Sequence, residues 1–179
     1  AVAAAAALNV TEPTSTGLGG DCFALYYEAE SGTVSALNGS GRAPSGLSLE
    51  FLQRNGVENE LPDFHPFTIT VPGACAGWCD LIERCGTKPM SDIQAPAVRL
   101  AEHGFPVAPV TAYFWARAFD KQLKNALGGL ELTIDGRPPQ TGEIFRNPGL
   151  ARTMRKIAAD GKSAFYEGEI ADAISSVIQ

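Results

Sequence analysis

Apolar residues run almost unbroken from Ala1 to Leu8, then give way to Pro13 and the small polar residues Thr14, Ser15 and Thr16. An Ala-rich stretch has high helix propensity, and a helix apolar on nearly every side belongs in an interior. A buried helix over residues 1–10 is expected. Gly17-Leu18-Gly19-Gly20-Asp21 has the composition of a tight turn. Phe23, Tyr26, Tyr27, Thr33 and Val34 then supply aromatic and β-branched content on either side of Glu30-Ser31-Gly32. That pattern predicts a hairpin with strands over 22–28 and 33–37.

Residues 38–44 read as a flexible loop rich in Gly and Ser. Ser48 caps a short helix reaching residue 55, with Gly56 as its stop. Residues 57–66 look irregular and 67–71 form a short strand. Pro72 suits the first turn of a helix over 72–85. Ser91-Asp92-Ile93-Gln94 has capping-box form and opens a helix to residue 103, bent by Pro96. A helix over 110–127 carries Tyr113, Phe114, Trp115 and Phe119; a strand over 130–134 leads into the turn Asp135-Gly136. Asn147-Pro148 opens a helix to residue 160 with Leu150, Met154 and Ile157 on one face. Ile170, Ala173, Ile174, Val177 and Ile178 recur at helical spacing, and this last helix is still running at Gln179. The pattern is mostly helical, with strands too few for two packed sheets. Helices left open at Ala1 and Gln179 lead to the expectation that both ends are truncated.

Composition narrows the function classes. The chain has 179 residues, 45% of them hydrophobic, enough for a sizeable core. A net charge of -6 argues against a nucleic-acid surface and against anionic lipid. No apolar stretch approaches the ~20 residues that span a bilayer. The opening Ala run has no basic residues before it and reads as helix rather than signal peptide. Four Cys are too few for a disulfide scaffold in a chain of this length.

Several local groupings invite chemistry. Gly17 to Gly20 resemble a phosphate loop in composition, but such loops run strand, Gly turn, helix. Here the order is helix, turn, strand, so a structural turn at positive φ is the better reading. Cys75, Cys79 and Cys85 share one predicted helix without the spacing of a zinc site, and buried thiols fit better. His65 and His103 are the only His residues and lie far apart, and no nucleophile elbow is present. Both read as structural. Cys22, at the turn-to-strand junction, has no base near it in sequence. Arg42 stands apart: it lies between Gly41 and Ala43-Pro44, and a guanidinium holds a carboxylate through two parallel hydrogen bonds. A solvated loop Arg is the plainer account on local grounds.

Ordered motifs go further. Residues 9–23, Asn-Val-Thr-Glu-Pro-Thr-Ser-Thr-Gly-Leu-Gly-Gly-Asp-Cys-Phe, resemble the gamma-glutamyltranspeptidase family. Gly41-Arg42-Ala43-Pro44, the Val71-Pro72-Gly73 helix start, Gly86-Thr87-Lys88-Pro89, residues 96–107 and Phe165-Tyr166-Glu167-Gly168 follow in that family's order. The resemblance implies an α+β fold: part of the four-layer αββα sandwich of an N-terminal-nucleophile hydrolase, mostly helical in this portion. Residues 1–179 are then a partial large subunit. The resemblance implies γ-glutamyl amide cleavage, as of glutathione, through an acyl-enzyme on an N-terminal Thr. The small subunit, or the rest of a self-cleaving precursor, supplies that Thr, so no catalytic residue lies in this chain. No metal or organic cofactor is implied. A periplasmic or secreted setting is favoured, with a cytoplasmic one left open.

One departure bears on substrate. The family often carries an Arg four residues before the loop Pro, where it holds the substrate α-carboxylate; Ser40 occupies that position here. Ser40 and Arg42 are therefore the candidate substrate-binding residues. The alternatives are a related acylase for cephalosporin or glutaryl amides, or a non-catalytic relative acting as a binding protein.

Overall fold

The computed structural model describes residues 1–61 and 63–178. It opens with α1, Val2–Thr11. Only one stripe of this helix is buried, Val2, Ala6, Asn9 and Val10, while Leu8 is exposed. The expectation of burial all round is corrected: neighbouring helices cover one side only. The hairpin follows as β1, Cys22–Glu28, and β2, Thr33–Gly39, in antiparallel register with Cys22 opposite Gly39. β2 therefore extends past its expected end at residue 37.

Helix α2, Leu49–Arg54, begins as expected, with the Ser48 side chain accepting from the Phe51 N–H at 3.1 Å. The strand expected over 67–71 is absent. Pro66–Thr68 make a 3-10 turn, and the Val71 N–H bonds the Arg42 carbonyl at 2.9 Å. A strand needs a ladder, and this segment meets a loop instead. Helix α3, Ala74–Cys85, starts just after Pro72-Gly73. Helix α4, Met90–His103, starts before Ser91, whose side chain makes no capping bond. Asp92 and Ile93 N–H groups reach the Pro89 carbonyl, so the N-cap lies two residues earlier than the capping box suggested. The helix runs on across Pro96.

The next stretch departs most from expectation. β3, Phe105–Pro106, pairs antiparallel with β4, Ile144–Phe145; strands of two residues carry no readable periodicity. Helix α5, Pro109–Ala118, ends well short of residue 127 and loosens into a π turn, Phe119–Leu123. The strand expected over 130–134 is a 3-10 turn, Gly129–Leu132, because the Trp115 indole N–H takes the Leu132 carbonyl at 2.9 Å. Asp135-Gly136 is the expected turn, with φ of 51° and 76° and an Ile134–Arg137 bridge. Helix α6, Pro148–Asp160, is capped by the Asn147 side chain, which accepts from the Leu150 N–H at 2.9 Å. Helices α7, Ser163–Tyr166, and α8, Glu169–Ile178, close the described chain; Gln179 lies outside the described residues.

Helix α4 packs between α1 and α6, and α3 packs on one face of the hairpin. Trp115, Phe145, Met154 and Ile157 are the largest fully buried side chains. The small β3–β4 pair sets Phe105 across from Phe145, whose ring meets Trp115 at 4.7 Å, edge to face. Aromatic contacts of this geometry stabilise beyond their buried area. The other face of the hairpin is open: Phe23, Leu25, Tyr27 and Val34 are all more than 60% exposed. Among the described residues the strands make two separate two-stranded sheets, so two packed sheets are not built from this chain alone.

Candidate functional site

Four motifs distant in sequence meet at one end of the hairpin, where β1 begins and β2 ends. The Gly-rich turn closes with the Gly20 N–H on the Gly17 carbonyl at 3.1 Å. Its glycines are not at positive φ, which corrects that expectation. Nor does space demand Gly here: a Cβ at Gly20 would sit 3.4 Å from the Gly17 carbonyl oxygen, and one at Gly19 would meet nothing within 4 Å. The Gly20 carbonyl accepts from the Gly73 and Ala74 N–H groups at 3.0 and 2.9 Å, tying the turn to the start of α3.

Ser40, Gly41 and Arg42 form the loop that leaves β2. The Ser40 N–H donates to Asn38 Oδ1 at 3.0 Å and the Gly41 N–H to Asp21 Oδ1 at 2.7 Å. The Arg42 carbonyl is held by Val71. A Cβ at Gly41 would lie 2.3 Å from the Val71 carbonyl oxygen, and one at Gly73 would lie 2.0 Å from that of Gly39. Backbone crosses backbone at these points, and only Gly fits. The loop is therefore pinned, unlike the flexible loop expected. Both Ser40 and Arg42 are exposed, and among the described residues the Arg42 guanidinium makes no ion pair.

The Phe165-Tyr166 motif arrives from the far end of the chain. The Tyr166 hydroxyl donates to the Pro72 carbonyl at 2.7 Å and accepts from the Ala76 N–H at 3.0 Å. Burial raises its pKa. Beside the turn lies a cavity of about 480 Å³, bounded by Asn9, Thr14, Thr16, Asp21 and Trp78 among others.

No acid–base or nucleophilic constellation is gathered here. His65 accepts from the Phe67 N–H through Nδ1 at 3.2 Å and packs on the Phe67 ring, a capping role. His103 ends α4 at the surface. Burial raises the Cys22 thiol. All four cysteines are free. Cys75 and Cys79 share a hydrogen bond that pushes Cys75 up and draws Cys79 below the usual thiol range. Among the described residues no three His, Cys, Asp or Glu side chains cluster as metal ligands, and no helix is long and apolar enough to cross a membrane. Sequence reasoning missed Asp21 and Tyr166. An Asp directly after a Gly turn, able to accept a backbone N–H, was a signal for the first; the Phe165-Tyr166 motif marked the position of the second but not what its hydroxyl does.

The gamma-glutamyltranspeptidase family model matches residues 1–179. The chain belongs to that family. It is similar to the glutathione hydrolase proenzyme of Bacillus subtilis, 32% identical across all of this chain and 31% of that protein. Among solved structures it is similar to cephalosporin acylase from Bacillus halodurans, with TM-score 0.91 and 40% identity over 99% of this chain and 34% of that one. The gamma-glutamyltranspeptidase of Helicobacter pylori superposes with TM-score 0.88 and 27% identity, covering 98% of this chain and 51% of that one. The chain thus spans about a third of the length of the curated relatives it matches. Its mixed, half-helical fold is that portion of the N-terminal-nucleophile hydrolase architecture shared by members of the family.

Proposed function

We propose that residues 1–179 act as part of the large subunit of an amide hydrolase or acyltransferase that cleaves γ-glutamyl amides such as glutathione. The observation that carries this reading is the pinned loop: the backbone of an exposed Arg42 is held at the meeting point of the family motifs, and among the described residues its guanidinium makes no ion pair. Arg42 receives the substrate carboxylate through paired charge-assisted hydrogen bonds. The neutral Ser40 hydroxyl adds one donor beside it. The nucleophile is an N-terminal Thr of the small subunit or remaining precursor. Its hydroxyl attacks the amide carbonyl with its own α-amine as base, and backbone amides stabilise the oxyanion. Water or an acceptor amine then resolves the acyl-enzyme.

The open hairpin face supports a partner of this kind. Phe23, Leu25 and Tyr27 alternate onto one side of β1, opposite the side that meets α3. A second sheet from the small subunit covers that face in the proposed assembly.

In the complete, processed enzyme, Arg42→Ala should raise KM for a γ-glutamyl anilide by roughly ten- to a hundredfold, the worth of a lost charge-assisted pair. An unchanged KM refutes the anchor role. Ser40, standing where the family often has Arg, favours a second reading: an acylase for glutaryl or cephalosporin amides. A substrate panel of the three amides separates the two, and no turnover of any by processed enzyme leaves only the non-catalytic binding protein.

A further inference from the structure

The loop that carries Arg42 lies between Gly39 and Pro44, and its local bond, Ser40 N–H to Asn38 Oδ1, does not hold Gly41 and Arg42. Two contacts from outside do. The Asp21 carboxylate takes the Gly41 N–H at 2.7 Å, across 20 residues of sequence. On the other side the Val71 N–H takes the Arg42 carbonyl at 2.9 Å. The backbone from the Gly41 amide to the Arg42 carbonyl is thus gripped at both ends, which sets the direction in which the Arg42 side chain leaves the chain. Asp21 is itself held. The preceding Gly20 carbonyl accepts two N–H groups from the start of α3, and the following Cys22 pairs with Gly39 in the hairpin.

We infer that Asp21 is a positioning residue for the substrate-carboxylate anchor: it fixes the Gly41 amide and so pre-aims Arg42. The inference rests on the proposed reading of Arg42. Without the contact, the Gly-flanked loop samples more conformers, and substrate binding must bear the cost of ordering it. What matters is the acceptor oxygen at the Gly41 amide rather than the charge. Asn retains that oxygen and Ala does not.

The test uses the complete, processed enzyme with a γ-glutamyl anilide. Asp21→Ala should raise KM by up to roughly tenfold, the upper end for one lost hydrogen bond, with kcat within about twofold of wild type. Asp21→Asn should restore KM to near the wild-type value, which a purely electrostatic role would not allow. On an Arg42→Ala background, Asp21→Ala should add nothing, because the group it aims is gone. If Arg42→Ala raises KM while Asp21→Ala does not, or if the two effects simply add, the positioning role is overturned and the anchor stands. If Arg42→Ala leaves KM unchanged, the anchor reading fails and the positioning role fails with it. Should Asp21→Ala not yield processed enzyme, Asp21→Ser serves as the second variant. Its side chain is too short to reach the amide, so the same rise in KM is expected and its absence counts against the role.

Discussion

Arg137 and Glu143 form a two-pronged ion pair at 2.7 and 2.8 Å, and Glu143 also accepts the Gln140 N–H at 2.7 Å. The pair closes the loop after the Asp135-Gly136 turn, and the carbonyl of Glu143 accepts from Val107 beside β3. The Arg137 bond holds the Glu143 carboxyl far down, at about 2 against an ordinary 4.5. A carboxylate with a depressed pKa stabilises the fold above its unfolded value, and that contribution is lost as pH falls through the folded one. Thermal stability should therefore fall between about pH 4.5 and 2 in wild type, and Glu143→Gln should flatten that part of the profile. Both groups are solvent-exposed enough that salt should weaken the effect. A Glu143→Gln profile superimposable on wild type, at low salt, would show that the pair contributes nothing. At this scale the sequence was partly legible. Ser48 and Asn147 cap their helices as read, because capping is decided within three residues. Ser91 does not, because the Pro89 carbonyl captured the first helical N–H groups.

Among the elements, α3 and α7 illustrate how a motif can be visible and its purpose hidden. The Val-Pro-Gly start of α3 and the Phe-Tyr segment of α7 lie about 90 residues apart, and one hydroxyl joins them. Tyr166→Phe removes that hydroxyl and leaves the Pro72 carbonyl and the Ala76 N–H without it. A loss of about 1–3 kcal/mol is expected, seen as a lower midpoint in urea unfolding of the complete protein. An unchanged midpoint would mean that water replaces the hydroxyl fully. The long helices were legible because an apolar stripe repeats over several turns, as with Leu150, Met154 and Ile157 in α6. The segment from Phe119 to Ile134 was not. Its local pattern suits a helix and a strand, but Trp115 takes the Leu132 carbonyl, and Lys124 bonds the Phe119 carbonyl five residues back. Tertiary contacts outweighed propensity there.

For the whole molecule, the hairpin is the informative feature. Burying an apolar side chain gains on the order of 25 cal/mol per Å², and Phe23, Leu25, Tyr27 and Val34 leave that gain unrealised in this chain. An isolated 1–179 polypeptide should bind a hydrophobic dye and self-associate, and Leu25→Lys with Tyr27→Lys should reduce both. In the proposed assembly, the same pair of substitutions should impair association with the second chain. A monodisperse wild-type fragment without dye binding would overturn the view that this face awaits a second sheet.

The amino-acid sequence by itself determined the helices with long apolar stripes, the hairpin, and the ordered motifs that mark the gamma-glutamyltranspeptidase family. Those depend on spacing within a few residues or on order along the chain. Only the tertiary structure decided that Gly20, Gly41, Gly73 and Tyr166 meet at one end of the hairpin, and that Asp21 grips the loop of Arg42. A hydrogen bond across 20 or 94 residues leaves no periodic trace in sequence. It exists because glycines let backbone cross backbone, and that close approach is a property of the packed chain.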